Sequence, residues 1–233
     1  MNQIHTTAVI LRRINYGEAD RIITVLTPDH GKVVLMAKGV RKSTSKLAGG
    51  IELMSESEIS FIKGKGDIDT LTSTKLVRHF AFITRNYDRL TVASNFMKRL
   101  DKCTEVDPHA EYYNLAVDVM LLLNSPQISP ALADAWGTLR LLFALGEVPN
   151  LQQDSQGKPF SEDAKYIFSY DTSNFSPDPR GDIEPTQIKF LRLLITHPAS
   201  AAASVKGAIE LAEQASKITH LLYTYHRPTI TKH

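Results

Sequence analysis

The sequence holds a single cysteine, Cys103, so it can neither close an internal disulfide nor supply the thiolates of a cysteine-rich zinc site. Its stability must come from apolar cores, which fits a reducing compartment. Long apolar runs are missing as well. Nothing approaches the roughly 18 to 20 consecutive apolar residues of a membrane helix, and Met1-Asn2-Gln3-Ile4-His5 does not open a basic segment followed by an apolar one. These absences predict a cytoplasmic protein that is neither exported nor membrane-spanning.

Catalytic signatures are equally scarce. There is no phosphate loop ending in Gly-Lys-Ser/Thr, no Gly-x-Ser-x-Gly elbow and no His-Glu-x-x-His. Gly64-Lys65-Gly66 lacks the third glycine and the helix of a dinucleotide fingerprint. The histidines are scattered, and the spacing of His220 and His226 puts them on different faces of a helix. The expectation is a protein without a catalytic centre, cofactor or metal. Asp67 and Asp69, on one strand face, are the pair that a metal-dependent nuclease would need; beside a lysine turn they read more simply as solvated carboxylates.

What the chain does have is 233 residues, 42% hydrophobic and 22% charged, enough for one large domain or two modest ones and unlike disordered or collagenous protein. Its net charge of +2 conceals an asymmetry. Residues 1–80 carry 12 Lys+Arg against 8 Asp+Glu, and residues 81–233 carry 15 against 17.

The period of the apolar residues changes near residue 80. Before it, short β-branched runs separated by turn residues predict five strands: 6–14, 21–26, 32–38, a fourth alternating through Ile51, Leu53, Ile59 and Phe61, and 68–77. Thr27-Pro28-Asp29-His30-Gly31 and Lys63-Gly64-Lys65-Gly66-Asp67 supply the turns. So few strands escape exposed edges by closing into a small barrel, read as an OB-fold, although an SH3-like barrel fits the same spacing. Beyond residue 80 the stripes Leu90/Ala93/Met97/Leu100, Tyr112/Leu115/Ala116/Val119/Leu123 and Leu132/Ala135/Trp136/Leu139/Phe143 are helical. Asp107-Pro108 and Ser129-Pro130 mark helix starts and Gly146 a helix stop. Proline-rich residues 147–184 form an irregular insertion with a strand fragment at Tyr166-Ile167-Phe168, and helical spacing returns at Ile188/Leu191/Leu194 and Leu211/Ala215/Ile218/Leu222. The fold class is therefore α+β, a five-stranded barrel domain over residues 1–80 followed by a helical domain over 81–233.

The segment 32–46 holds five cations and no acid. As a phosphate-tracking loop, Lys38, Arg41, Lys42 and Lys46 supply counter-charge, Gly39 permits close backbone approach and Ser43 to Ser45 offer hydroxyls. The same run also reads as a mobile, solvated loop that keeps the protein soluble. Arg12, Arg13, Arg21, Lys63 and Lys65 fall on strands or turns of the same barrel, which favours one basic face and a nucleic-acid partner. With few aromatics in the module, Tyr16, Phe61 and Phe80, that binding would be mainly electrostatic.

Ala8-Val9-Ile10-Leu11, Tyr16-Gly17-Glu18-Ala19-Asp20-Arg21-Ile22-Ile23-Thr24-Val25-Leu26-Thr27, His30-Gly31-Lys32 and Ala37-Lys38-Gly39-Val40-Arg41-Lys42-Ser43 together resemble the N-terminal domain of the bacterial recombination mediators of the RecO family. Leu141-Leu142-Phe143-Ala144-Leu145-Gly146, followed by Pro149-Asn150-Leu151, is similar to the end of that family's central helix. The resemblance implies an OB-fold on a helical domain and a non-enzymatic DNA repair and recombination mediator of the RecF pathway, cytoplasmic and associated with the nucleoid. Its partners would be single- and double-stranded DNA, whose complementary strands it anneals, the C-terminal tail of single-stranded DNA-binding protein (SSB), RecR and, indirectly, RecA. Many family members carry two Cys-x-x-Cys pairs after the Pro-x-Leu stretch; this chain has Gln152-Gln153-Asp154-Ser155 and Asp178-Pro179-Arg180-Gly181 instead, which implies a zinc-free insertion. Arg140, on the helix with Trp136, is the candidate contact for the acidic tail, and reads more simply as a solvent-facing helix residue. The rival functional class is a repair adaptor with little DNA binding of its own.

Overall fold

Four consecutive apolar residues, Ala8-Val9-Ile10-Leu11, break the alternation of a half-buried strand, and the barrel gives the reason. In the computed structural model, which describes residues 3–104, 110–169 and 172–230, they lie in the middle of a long first strand, β1 (Gln3–Tyr16). Its first half pairs with β4 (Ser55–Ile62), from Gln3↔Ile62 to Val9↔Glu56; its second half pairs with β2 (Asp20–Thr27), from Val9↔Leu26 to Tyr16↔Asp20. A bulge between Ile10 and Arg12 leaves Leu11 without a partner and bends the strand so that it can serve two neighbours. All four residues are buried.

β2 continues through the expected turn into β3 (Gly31–Ala37), where the Thr27 hydroxyl accepts from the His30 N–H at 3.0 Å and donates to the Gly31 carbonyl at 3.0 Å. β4 pairs antiparallel with β5 (Asp69–His79), and β5 closes the cylinder by pairing parallel with β3 at Leu35↔Asp69 and Met36↔Thr70. The closed order β1-β2-β3-β5-β4 is that of an OB-fold. Ala8, Ile10, Ile23, Val25, Leu35 and Phe61 are among the residues that fill it.

The fourth strand is shorter than its apolar spacing predicts. Residues Ala48–Gly50 form a 3-10 turn, and Met54 has φ 57°, so the extended backbone starts only at Ser55. Ile51 is nevertheless fully buried, entering the core from the turn rather than from a strand. Glycine is required at position 50, where an added Cβ would lie 2.4 Å from the Thr74 side chain.

The strands end at His79 and helices follow at once: α1 (Ala81–Thr84), α2 (Tyr87–Cys103) and α3 (Ala110–Leu123). Their stripes are buried much as spaced, and α2 and α3 pack on β1. Tyr113 of α3 donates to the Glu56 Oε1 of β4 at 2.9 Å, with Arg78 3.8 Å from the other oxygen. The expected helix start at Asp107-Pro108 lies outside the described residues.

The chain divides into two compact units between Ser125 and Pro126. The second holds α4 (Pro130–Ala144), a hairpin of β6 (Tyr166–Ser169) and β7 (Asn174–Pro177), then α5 (Pro185–Thr196), α6 (Ala199–Ala203) and α7 (Ala208–Ile230). Ser129 caps α4 by accepting the Leu132 N–H at 3.1 Å, with Pro130 at the first helical position. Gly146, at φ 74°, ends it: Glu147 N–H reaches back to the Leu142 carbonyl at 2.8 Å. Two expected core stripes are displaced. Phe143 is 55% exposed, and on α7 the buried face is Ala212, Ala215, Thr219 and Leu222, with Leu211 and Ile218 only half-buried. Small residues on that face let α7 lie against α4, where Ser216 donates to Asp134 at 2.7 Å.

In the insertion, Tyr166 and Phe175 are buried and stack edge-on with Phe160, at 5.1 and 5.9 Å between centroids, while Phe168 meets Phe175 at 5.0 Å. Two aspartates close its tight turns. Asp154 accepts the Gln156 and Lys158 N–H groups at 2.8 and 3.0 Å, and Asp178 accepts that of Arg180 at 2.8 Å. Among the described residues, no helix is long and apolar enough to cross a membrane and no group of three or more His, Cys, Asp or Glu is placed to hold a metal.

Candidate nucleic-acid interface

The basic loop that follows β3 is fastened at both ends. At its start the Asp20 carboxylate accepts the Gly39 N–H at 2.6 Å, and Arg41 donates twice to the β1–β2 turn, from its backbone N–H to the Ala19 carbonyl at 2.9 Å and from Nη1 to the Gly17 carbonyl at 3.1 Å. Gly39 takes φ 64°, a left-handed conformation that side chains disfavour. A Cβ there would meet only the Lys42 side chain, at 3.8 Å, so within the protein it is the left-handed turn, not packing, that calls for glycine. Lys42 and Ser45 continue the loop with N–H bonds to the Gly39 and Lys42 carbonyls, at 3.1 and 3.0 Å. At its far end Leu47 packs against the barrel core and its carbonyl accepts the Thr74 hydroxyl at 3.1 Å. The loop is a shaped element with its charges outward.

The candidate cations fall into two groups. Lys38, Arg41, Lys42, Lys46 and Lys65 are exposed, and none forms an ion pair among the described residues. The others are engaged. Arg12 faces Asp101 of α2 at 3.7 Å and Lys63 faces Asp69 at 3.3 Å; Arg21 is half-buried and, forming no ion pair among the described residues, donates to Asn15 at 3.1 Å as Arg41 does to Gly17. Arg13, on the same strand as Arg12, pairs with Glu52 at 2.7 Å. Pairing register also separates them by face: Arg12 opposes Thr24 on the outer side, whereas Arg21 opposes Ala37, a core residue, and so lies at the mouth of the barrel.

Asp69 is buried, and its oxygens serve Lys63 and the Gly64 N–H, at 3.3 and 2.8 Å. It closes the turn between β4 and β5, while Asp67 is exposed. Because Asp69 opposes Leu35 of β3, this turn brings Lys63 beside β3. Lys38 lies three residues further along the strand, about 10 Å at the rise of an extended chain.

Between these cations runs a feature that spacing alone did not reveal. Ile14↔Ile22, Ile22↔Met36 and Met36↔Thr70 are successive register partners, so they form one row across the outside of four strands. Ile14 is 49% exposed, and Tyr16, at the same face of the hairpin end, is 55% exposed. Alternate positions in β1, β2 and β3 hold these residues, but only the register aligns them.

In the second unit, Arg140 donates to the Leu194 and His197 carbonyls at 3.2 and 3.3 Å and stacks on Trp136 at 5.2 Å. The guanidinium thus satisfies the C-terminal carbonyls of α5. Trp136 is buried and points its N–H at the same His197 carbonyl, at 3.4 Å. A separate groove of about 520 Å³ is lined by Ile167, Phe168, Ile183, Lys217, Ile218 and Leu221, with Asp182 at its rim.

Residues 1–80 match the family profile described as recombination protein O N terminal, and residues 84–231 match that of its C terminal. The chain is similar to a DNA repair protein RecO of Acetivibrio thermocellus, 33% identical over 64% of this chain and 59% of that protein. It is 30% identical to one of Desulfitobacterium hafniense, over 73% of this chain and 62% of the relative. A Rubrobacter xylanophilus RecO matches at lower identity, 27%, across 87% and 84%. The match therefore spans less than two thirds of the first two relatives' length. With both profiles matched in order on an OB-fold followed by helices, the chain belongs to the RecO family.

Proposed function

We propose that the protein is a recombination mediator of the RecF pathway that binds single- and double-stranded DNA through its barrel and anneals complementary strands. The observation that carries this reading is the set of exposed cations without ion-pair partners among the described residues, Lys38, Arg41, Lys42, Lys46 and Lys65, on the OB-fold. Cations already paired to carboxylates would have to break those pairs to meet phosphate; these do not. Each phosphate they neutralise releases a counterion, and two strands screened by one surface repel each other less. The row of Ile14, Ile22 and Met36 beside Tyr16 adds an apolar surface for unpaired bases, on the face that OB-folds use for oligonucleotides. No bond is made or broken in this mechanism, and the protein acts without being an enzyme.

With RecR it helps load RecA on SSB-coated DNA, and it works in the cytoplasm on the nucleoid. The SSB tail, acidic and apolar at its end, needs a hydrophobic seat near a cation. The groove with Ile167, Ile218, Leu221 and Lys217 offers both, while Arg140 is engaged by α5. That groove is also what favours the second reading, an adaptor of the repair machinery with little DNA binding.

Annealing of two complementary oligonucleotides, bare and SSB-coated, across a salt series decides between them. The mediator accelerates annealing, and its binding weakens with a log–log salt slope of about −3 to −4, as four to six phosphate contacts give. Absence of binding and annealing even at low salt leaves the adaptor.

A further inference from the structure

A carboxylate at the centre of a surface that receives a polyanion opposes its purpose, unless it does something there. Two acids sit at the β1–β2 hairpin end, Glu18 in the turn and Asp20 at the first residue of β2. Glu18 is exposed and forms no ion pair or side-chain hydrogen bond among the described residues. Asp20 is half-buried and takes the Gly39 N–H at 2.6 Å.

From this contrast we propose that Asp20 is a positioning residue for the DNA interface, holding the basic loop in the shape that sets its lysines at phosphate spacing. The inference rests on the DNA-binding reading above. Gly39 is the residue where the chain leaves β3 and turns left-handed, with Lys38 just before it and Lys42 three residues beyond. Fixing the Gly39 N–H fixes that turn. The two Arg41 bonds to Ala19 and Gly17 then complete a three-point attachment, and the Lys42 N–H bond to the Gly39 carbonyl carries the order forward. A loop already in its bound shape loses less conformational freedom when DNA arrives. Without the Asp20 acceptor, Gly39 keeps its flexibility and loses its anchor, so Lys38 and Lys42 no longer act in register.

The proposal makes a prediction of opposite sign to simple charge. Deleting a bystander acid from a cationic surface tightens DNA binding; deleting a positioning acid weakens it. Binding of a labelled single-stranded oligonucleotide to the full chain, by fluorescence anisotropy over a salt series, reads the difference. Glu18→Ala binds as tightly as the parent or about twofold tighter. Asp20→Ala binds about five- to tenfold more weakly, and its salt slope is shallower by about one to two phosphate contacts, on the order of 0.7 per contact on a single strand. Asp20→Asn keeps an acceptor for Gly39 and loses the charge, so it binds at least as tightly as the parent.

Weaker binding by folded Asp20→Ala with an unchanged salt slope means that no phosphate contact has been lost, which overturns the proposal. So does an Asp20→Ala variant that tightens binding as Glu18→Ala does. If Asp20→Ala does not fold, Asp20→Asn still decides, because weaker binding by that variant contradicts an acceptor role. No binding by the parent chain overturns the DNA-binding reading and this proposal together; parent binding that Asp20→Ala leaves unchanged overturns only the proposal.

Discussion

The two turn-rich segments of the molecule, the basic loop at 38–46 and the insertion at 147–184, use their polar groups in opposite ways. In the loop, backbone groups and two side chains, Asp20 and Arg41, make the attachments, and the lysines are left over. In the insertion and the helix after it, several charges are consumed internally: Lys189 holds Glu162 at 2.6 Å, Arg180 holds Asp178, and Arg192 donates to the Leu151 carbonyl at 3.0 Å, while Lys158 and Lys165 are exposed without an ion pair among the described residues. The insertion then coheres around aromatic rings. Charge density alone therefore does not tell engaged charge from unpaired charge.

The largest effect that tests this contrast is on the insertion's core. Phe175→Ala removes a fully buried ring and should destabilise the second unit by about 3–5 kcal/mol, read by urea unfolding, while the salt slope of DNA binding stays unchanged. Next comes the double reversal Arg41→Glu with Lys42→Glu. DNA affinity at moderate salt should fall about 100-fold or more, with at most a small fall in thermal stability from the lost Arg41 bond to Gly17, because two phosphate contacts become repulsions and one loop attachment goes. Retained affinity would mean that the free cations of the loop are only a solvated surface.

A smaller effect separates the barrel's dry contacts from its wet ones. Burial, with the Glu56 carboxylate adding to it against a hydrogen bond from Thr7, pushes the Tyr113 hydroxyl up to about 12. Its folded value lies above the ordinary value of about 10, so its contribution is fully present below pH 10 and is lost as pH rises from 10 through 12. Tyr113→Phe should flatten the fall in urea midpoint over that window. The smallest change is Lys189→Ala. The Lys189 hydrogen bond, with its charge, holds the Glu162 carboxyl below the usual range, so the variant should lose a little stability at neutral pH and none in acid, where Glu162 is protonated in both proteins. At physiological salt this exposed pair lies near the limit of detection.

Much of the barrel was legible because alternation and turn chemistry report a half-buried strand directly. Its exceptions have physical causes. The bulge at Leu11 hides the length of β1, and Ile51 reads as strand because burial, not extension, is what an apolar residue signals. The cations were legible as residues but not as free or engaged, since the partners lie far along the chain: Arg12 and Lys32 meet Asp101 only once α2 has packed on the barrel. For the same reason Arg140 read as a surface contact, although folding brings it to the end of α5, 54 positions away. Asp20 carried no reading of its own in the sequence, and its bond to Gly39 appears only in the fold.

The pairing that closes the cylinder is its shortest: β3 and β5 meet at only two residue pairs, 34 positions apart in sequence. Such a seam forms late in folding, because the loop between its halves must be ordered first, and it should open first in the native state. Amide exchange at Met36 and Thr70 would then be faster than across the β1–β2 ladder. Lys38 follows the seam residues of β3 and Lys65 precedes those of β5, both in the connection that joins its halves, so on the proposed interface DNA held by the two would slow that exchange and make the bound form mechanically tighter.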